Sequence, residues 1–130
     1  MQQLYAQDGL GYDEPRARQA IDGLFAEPAH GGIWMVHADG AAVGYMVLTI
    51  AYSLEFHGRF GLLDEFFVDS AWRSQGIGTQ ALAFAEEWCR SRGLRALRLE
   101  VGHENPRALG LYQRTGFEIH DRHLMTKWLS

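Results

Sequence analysis

The spacing of hydrophobic positions changes several times along the chain, and each change predicts an element. From residue 4 to 25 the spacing is helical but interrupted. Asp13, Glu14 and Pro15 supply a cap, an acid and an early proline for a helix carrying Ala17, Ala20, Ile21, Leu24 and Phe25. Residues 27–32 read as a loop. Apolar runs at 33–37 and 43–50 flank Asp39-Gly40, a hairpin signal. A connection over 52–60 containing Gly58 leads to the central strand, 62–68. Ile77, Ala81, Leu82, Ala85, Trp88 and Cys89 then mark the buried face of a helix, which Arg92-Gly93 ends. Residues 97–101 read as a strand, Asn105-Pro106 starts a short helix, and Thr115-Gly116 closes it. Residues 117–120 and 124–129 predict two final strands, antiparallel to one another.

The order α, β, β, β, α, β, α, β, β predicts an α/β or α+β fold: a mixed sheet with helices on its faces. The β–α–β unit between residues 62 and 101 should be a right-handed parallel crossover. At 130 residues and 14.7 kDa, the chain 1–130 suits a single domain with one core. A hydrophobic content of 47% argues against disorder, and a net charge of −4 gives no general reason to expect nucleic acid or an anionic membrane as partner. No apolar run has the length of a membrane span, the first residues carry no signal-peptide pattern, and the single cysteine fits a reducing compartment. The expected location is the cytoplasm.

The stretch 62–79 carries the chemistry. An apolar strand bearing Asp64 and Glu65 runs through a polar corner at Asp69-Ser70 into Arg73-Ser74-Gln75-Gly76-Ile77-Gly78, which opens a helix. A strand, a glycine turn and a helix start present backbone N–H groups, at the positive end of a helix dipole, to an anion. Glycine at 76 and 78 lets the backbone approach without a Cβ in the way, and Arg73 adds a guanidinium suited to phosphate. A tight structural turn would use the same glycines. The Walker pattern G-x-x-x-x-G-K-S/T fails for want of the spacing and the lysine, which disfavours a nucleotide phosphate binder; the dinucleotide pattern G-x-G-x-x-G lacks its third glycine at Ala81.

What remains resembles the pyrophosphate-binding motif R/Q-x-x-G-x-G/A of the GNAT superfamily of N-acetyltransferases. A second block, 97–101 followed by Asn105-Pro106-Arg107-Ala108, Leu111-Tyr112 and Thr115-Gly116-Phe117, is similar to that family's strand–Asn–helix–Tyr–Gly-Phe segment. The resemblance covers roughly residues 33–128. It implies a mixed central sheet with splayed parallel strands in the middle, here 62–68 and 97–101, and helices on both faces. One departure stands out: the family opens with a strand before its first helix, whereas here Met1 leads directly into the helix. A missing edge strand, together with the supply of aromatics, leaves room for a homodimer.

Resemblance further implies transfer of an acetyl group from acetyl-CoA to a primary amine, by direct attack in a ternary complex. Arg73, Ser74, Gln75, Gly76, Ile77, Gly78 and Thr79 would hold the CoA pyrophosphate, mainly through main-chain N–H groups. Phe66, Phe67 and Val68 would meet the pantetheine arm like an added strand, with Asn105 and Ala108 contacting it from the other side. Tyr112 matches the family's general acid: a phenol with a pKa near 10 can protonate a departing thiolate whose parent thiol titrates at about 8.5. A core aromatic is the other reading of Tyr112. An acceptor amine with a pKa of about 10.4 must lose a proton before it attacks, and Asp64 or Glu65 would accept it. Adjacent strand residues face opposite ways, and Asp64 shares a face with Phe66 and Val68, although a bulge in this strand would weaken that parity.

Tyr12, Tyr52, Glu55 and His57 would lie near the acceptor in this architecture, although a solvated loop carries the same residue types. The scaffold serves small molecules and peptides alike, so the acceptor class stays open. No metal is expected: His120-x-x-His123 crosses a turn, with no HExxH motif or accompanying cysteine. Cys89, on the buried stripe, reads as an unreactive thiol, which leaves no covalent step. The alternative from another class is a non-catalytic CoA-binding or sensing module, whose mark would be an intact turn beside a missing acid or base. Tyr112, Asp64 and Glu65 are all present.

Overall fold

The computed structural model describes residues 13–129. Tyr12 and the edge that the family fills with a first strand lie outside them. Helix α1 (Glu14–Ala26) starts where the Asp13 carboxylate accepts the Arg16 N–H at 3.2 Å, with Pro15 in the first turn. A 3₁₀ turn (Pro28–His30) leads to β1 (Gly31–Ala38), which pairs antiparallel with β2 (Ala41–Ser53). Asp39 and Gly40 both take positive φ, 50° and 78°, the hairpin geometry whose twist matches the strands. β2 pairs antiparallel with β3 (Gly58–Val68), helix α2 (Ile77–Ser91) crosses over, and β4 (Leu97–Leu99) pairs parallel with β3. Helix α3 (Pro106–Arg114) follows, and the strand order is β1-β2-β3-β4.

The core lies on one face of this sheet. Met46 and Leu48 of β2 and Leu63 of β3 pack against Leu82, Ala85, Trp88 and Cys89 of α2. Trp34 of β1 meets Phe84 and Trp88 edge-on, with ring centroids 5.5 and 5.2 Å apart. Helix α1 covers the opposite face and buries none of its own residues. The sheet is therefore mixed and has helices on both faces, as expected.

Three expectations need correction. The connection expected over 52–60 is shorter: β2 runs to Ser53, a 3₁₀ turn spans Leu54–Phe56, and β3 already starts at Gly58. The strand expected at 97–101 stops at Leu99, because only Gly61, Leu62 and Leu63 of β3 pair with it. The antiparallel strands expected at 117–120 and 124–129 do not form. Phe117 is held by the helix end, its N–H donating to the Tyr112 carbonyl at 3.0 Å and its ring meeting Tyr112. Beyond it the pattern is strand-like, but no described strand lies alongside to complete a ladder.

The core is tight where β3 meets α2. A Cβ on Gly61 would lie 2.5 Å from the Cys89 sulfur. Gly61→Ala is expected to cost about 1–3 kcal/mol of stability by overpacking. Combined with Cys89→Ala, which opens space at that point, it should recover at least ~1 kcal/mol in a double-mutant cycle read by urea unfolding. Strict additivity of the two changes would contradict this packing.

Candidate active site

The site begins with an irregular pairing in β3. Against β2, Glu65 pairs with Val47, but the next partner of Leu48 is Leu63, so Asp64 is an extra residue in a β-bulge. A bulge bends its strand and increases the twist. On the other side, pairing with β4 ends at Leu63–Leu99. Beyond that point the chains part, and a cavity of about 530 Å³ opens between residues 64–68 and residues 99–102.

The floor of this cavity is the glycine turn. Asp69 caps a 3₁₀ turn (Ser70–Trp72) by accepting the Ala71 N–H at 3.1 Å, and Arg73 Nε donates back to the Val68 carbonyl at 3.0 Å. The Arg73 guanidinium thus pins the turn to the strand end. Gly76 caps α2 in the left-handed region, with φ 81° and no side-chain hydrogen bond to the helix end. First-turn amides of a helix have no intrahelical acceptor, and here Ile77, Gly78 and Thr79 line the cavity. The two glycines are held by different constraints. Gly76 is required by its φ, since a Cβ there meets nothing within 4 Å; at Gly78 a Cβ would lie 2.8 Å from a Leu111 methyl, so this glycine lets α2 close on α3.

Helix α3 forms the opposite wall. Asn105 Oδ1 accepts the Ala108 N–H at 3.2 Å, the cap that starts the helix. Asn105, Ala108 and, one turn on, Tyr112 all line the cavity, as do Phe66, Phe67, Val68 and Ser74. Tyr112 also packs against the core, so its two readings describe one half-buried ring. Gln75 is turned away: its side-chain amide donates to the Ala71 carbonyl at 3.4 Å. Arg107 was not singled out by the sequence, yet it donates to the Ser74 hydroxyl and lines the cavity together with Arg73 and Arg114. Its signal was its place in the first turn after Asn105-Pro106, beside the open amides.

A second, wider cavity of about 880 Å³ lies between α1 and the sheet, walled by Ile21, Leu24, Phe25, Ile33, Met35 and Val47. Among the described residues, Asp64 and Glu65 alone line both cavities. The bulge removes the parity argument that favoured one of them. Glu65 accepts the Tyr45 hydroxyl at 2.8 Å, a partner visible only once the β2–β3 register is known. Asp64 is exposed as a residue, yet it lines both cavities, and partial desolvation there pushes its pKa up. Tyr52, Glu55 and His57 line neither cavity. Tyr52 is exposed, Glu55 pairs with Arg122 at 2.8 Å, and His57 takes the left-handed conformation that ends the 3₁₀ turn before β3. The Cys89 thiol is buried in the core and pushed up by that burial. Among the described residues no cluster suits a metal ion, and no helix is long and apolar enough to cross a membrane.

A mixed sheet whose parallel pair, β3 and β4, parts above a helix-opening glycine turn defines an acetyltransferase type of fold. Residues 1–117 match the sequence model of the Acetyltransferase (GNAT) family, and the chain belongs to that family. An uncharacterized N-acetyltransferase of Methanocaldococcus jannaschii is 32% identical over 99 residues, which are 75% of this chain and 43% of that protein. One of Bacillus subtilis is 28% identical over 86 residues, 66% of this chain and 58% of the other. The matched stretch is thus about half the length of these relatives. Among solved structures, an integron cassette protein from the mobile metagenome of Cole Harbour Salt Marsh superposes with a TM-score of 0.84 at 34% identity, covering 98% of this chain and 79% of that one. The aminoglycoside acetyltransferase AAC(6')-Iy, in complex with a CoA bisubstrate analogue, gives 0.81 at 22% identity over 98% and 88%, a likeness of fold.

The Asp64 environment makes a prediction independent of activity. A carboxyl raised in the folded state opposes folding when ionised, and this opposition fades as pH falls through the raised pKa. Asp64→Asn should therefore melt higher than the unmodified chain at neutral pH, with the difference shrinking in acid. A difference in melting temperature that does not change with pH would show that Asp64 titrates normally.

Proposed function

We propose that the protein is an acetyl-CoA-dependent N-acetyltransferase acting on a primary amine. The observation that carries this reading is the meeting of the two cavities at Asp64 and Glu65, with Tyr112 in the wall of the first. Acetyl-CoA would supply an activated acetyl thioester. Its pyrophosphate suits the open amides of residues 77–79 and the guanidinium groups of Arg73 and Arg107. The strand edge freed at 66–68 suits the amide-bearing pantetheine arm, which can pair with it as a further strand would.

The chain's residues then handle two protons. Asp64, whose pKa is raised by burial, takes a proton from the acceptor ammonium. Glu65, held by Tyr45, anchors the ammonium beside it. The freed nitrogen would attack the thioester carbon directly and give up its second proton to water in the open cleft as the carbon–sulfur bond breaks, while the Tyr112 hydroxyl gives its proton to the leaving sulfur and regains one from that water. No covalent enzyme intermediate is needed, in keeping with a Cys89 thiol buried in the core. The acceptor's body would rest on the apolar wall of the second cavity, so an amine with an aromatic or aliphatic body fits it better than a polyhydroxylated one.

A panel of amines assayed for thiol release from acetyl-CoA tests the reading. Arylalkylamines are expected to outperform aminoglycosides. Tyr112→Phe should lower turnover by roughly 10²-fold or more while changing CoA affinity little, and Asp64→Asn should abolish the acidic limb of the pH–rate profile. CoA binding with no turnover on any amine would instead favour a non-catalytic sensing module, and loss of neither activity nor limb would remove the assigned roles.

A further inference from the structure

The second cavity carries charge on both of its walls. Asp64 and Glu65 stand on the sheet side, and Arg16 stands on the other, in the first turn of α1. The rest of the lining is chiefly apolar, with Ile21 and Leu24 from the helix and Ile33 and Val47 from the sheet. Arg16 is only partly used by the protein itself. Its backbone N–H donates to Asp13 Oδ1 at 3.2 Å, which starts the helix, and its Nε lies 3.6 Å from Asp13 Oδ2. Both side chains of that pair are exposed, so it contributes little. Among the described residues, Nη1 and Nη2 make no hydrogen bond, and these nitrogens can meet a carboxylate bidentately. His30 is the other basic residue of the lining, beyond the C-terminal end of α1.

We propose that the acceptor is zwitterionic: a primary amine at one end, a carboxylate at the other and an apolar body between them. The amine end rests on the acetyl-transfer reading, and the carboxylate end is added here. The ammonium takes Asp64 and Glu65, and the carboxylate takes the terminal nitrogens of Arg16. A simple amine gains nothing from Arg16, and a second ammonium on it would be repelled. A carboxylate lets one ligand match both signs of charge in a mainly apolar cavity. Asp13 also lines the cavity and opposes an incoming anion, so the carboxylate must take the Nη edge, away from the Nε that Asp13 faces. The guanidinium keeps its charge at any working pH, so this preference depends on no titration at the carboxylate end.

The probe is a series of ω-amino acids of increasing length, each compared with its own carboxamide. Turnover is read with acetyl-CoA, and binding by calorimetry on the chain loaded with CoA. At the length that spans the two walls, the acid should exceed the amide by about 10-fold in both kcat/KM and affinity. Arg16→Gln should bring acid and amide to within about 2-fold of each other, and Arg16→Lys should restore part of the preference. The substitutions keep the backbone N–H that Asp13 caps, and circular dichroism checks that each variant is folded. Acid and amide equal at every length would overturn the proposal, as would a preference that survives Arg16→Gln. Turnover without that preference removes this inference and leaves acetyl transfer standing. A preference in binding without turnover upholds the zwitterionic site and counts against acetyl transfer. Failure of every member of the series to bind would overturn the proposal too, while turnover of simple amines would still uphold acetyl transfer.

Discussion

One irregularity in hydrogen bonding governs the cleft: Asp64 has no opposite number on β2. A regular β3 would keep its twist and carry its pairing with β4 past Leu63, and the space between residues 64–68 and 99–102 would be sheet. With the extra residue, β3 turns out of plane at the point where the parallel ladder stops. The backbone groups released there are the ones left to meet a ligand. The same residue brings a second carboxylate to the boundary between the two cavities, where regular alternation would have allowed only one. A single inserted position thus opens the space and supplies the chemistry at its edge.

The turn beneath the cleft shows how little of such a site depends on side chains reaching in. Gly76 is fixed by a left-handed φ, Gly78 by the approach of Leu111, and Arg73 by a bond to the Val68 carbonyl. Each holds backbone in place, and the groups left facing the cavity are amides at a helix end. Arg107 extends this from the other wall through the Ser74 hydroxyl, so the first turns of α2 and α3 converge on one volume. Their dipoles both point positive ends at it, which concentrates positive potential locally although the chain carries a net charge of −4.

Most of this was legible in the sequence, because the signals were local. The hairpin at Asp39-Gly40, the helix start at Gly76 and the Asn105-Pro106 cap each act within a few residues, and each element stands close to where its punctuation put it. What was hidden depends on pairing across the sheet. The bulge at Asp64, the Tyr45–Glu65 bond and the shortness of β4 are properties of register, to which composition is blind. The failed strands at 117–120 and 124–129 belong to the same class: alternation shows that a segment can pair, not that a partner edge lies within reach. The Glu55–Arg122 pair was hidden for a related reason, since the two residues are 67 apart in sequence.

The shortness of β4 links the cleft to the sheet's edge. Opening the space beside residues 64–68 leaves β4 only three pairs on that side, and it has no described neighbour on the other. Leu97 and Leu99 packing on the core then do most of the work of holding it. A strand so weakly tied is a poor wall for a cleft that must keep its width, because a drift toward β3 would restore the missing ladder and close the cavity. Any strand added to the outer edge of β4 would satisfy its free amides and carbonyls and oppose that drift. In this fold, the width of the cleft and the completion of the sheet's edge are therefore one energetic problem, solved on opposite sides of the same three residues.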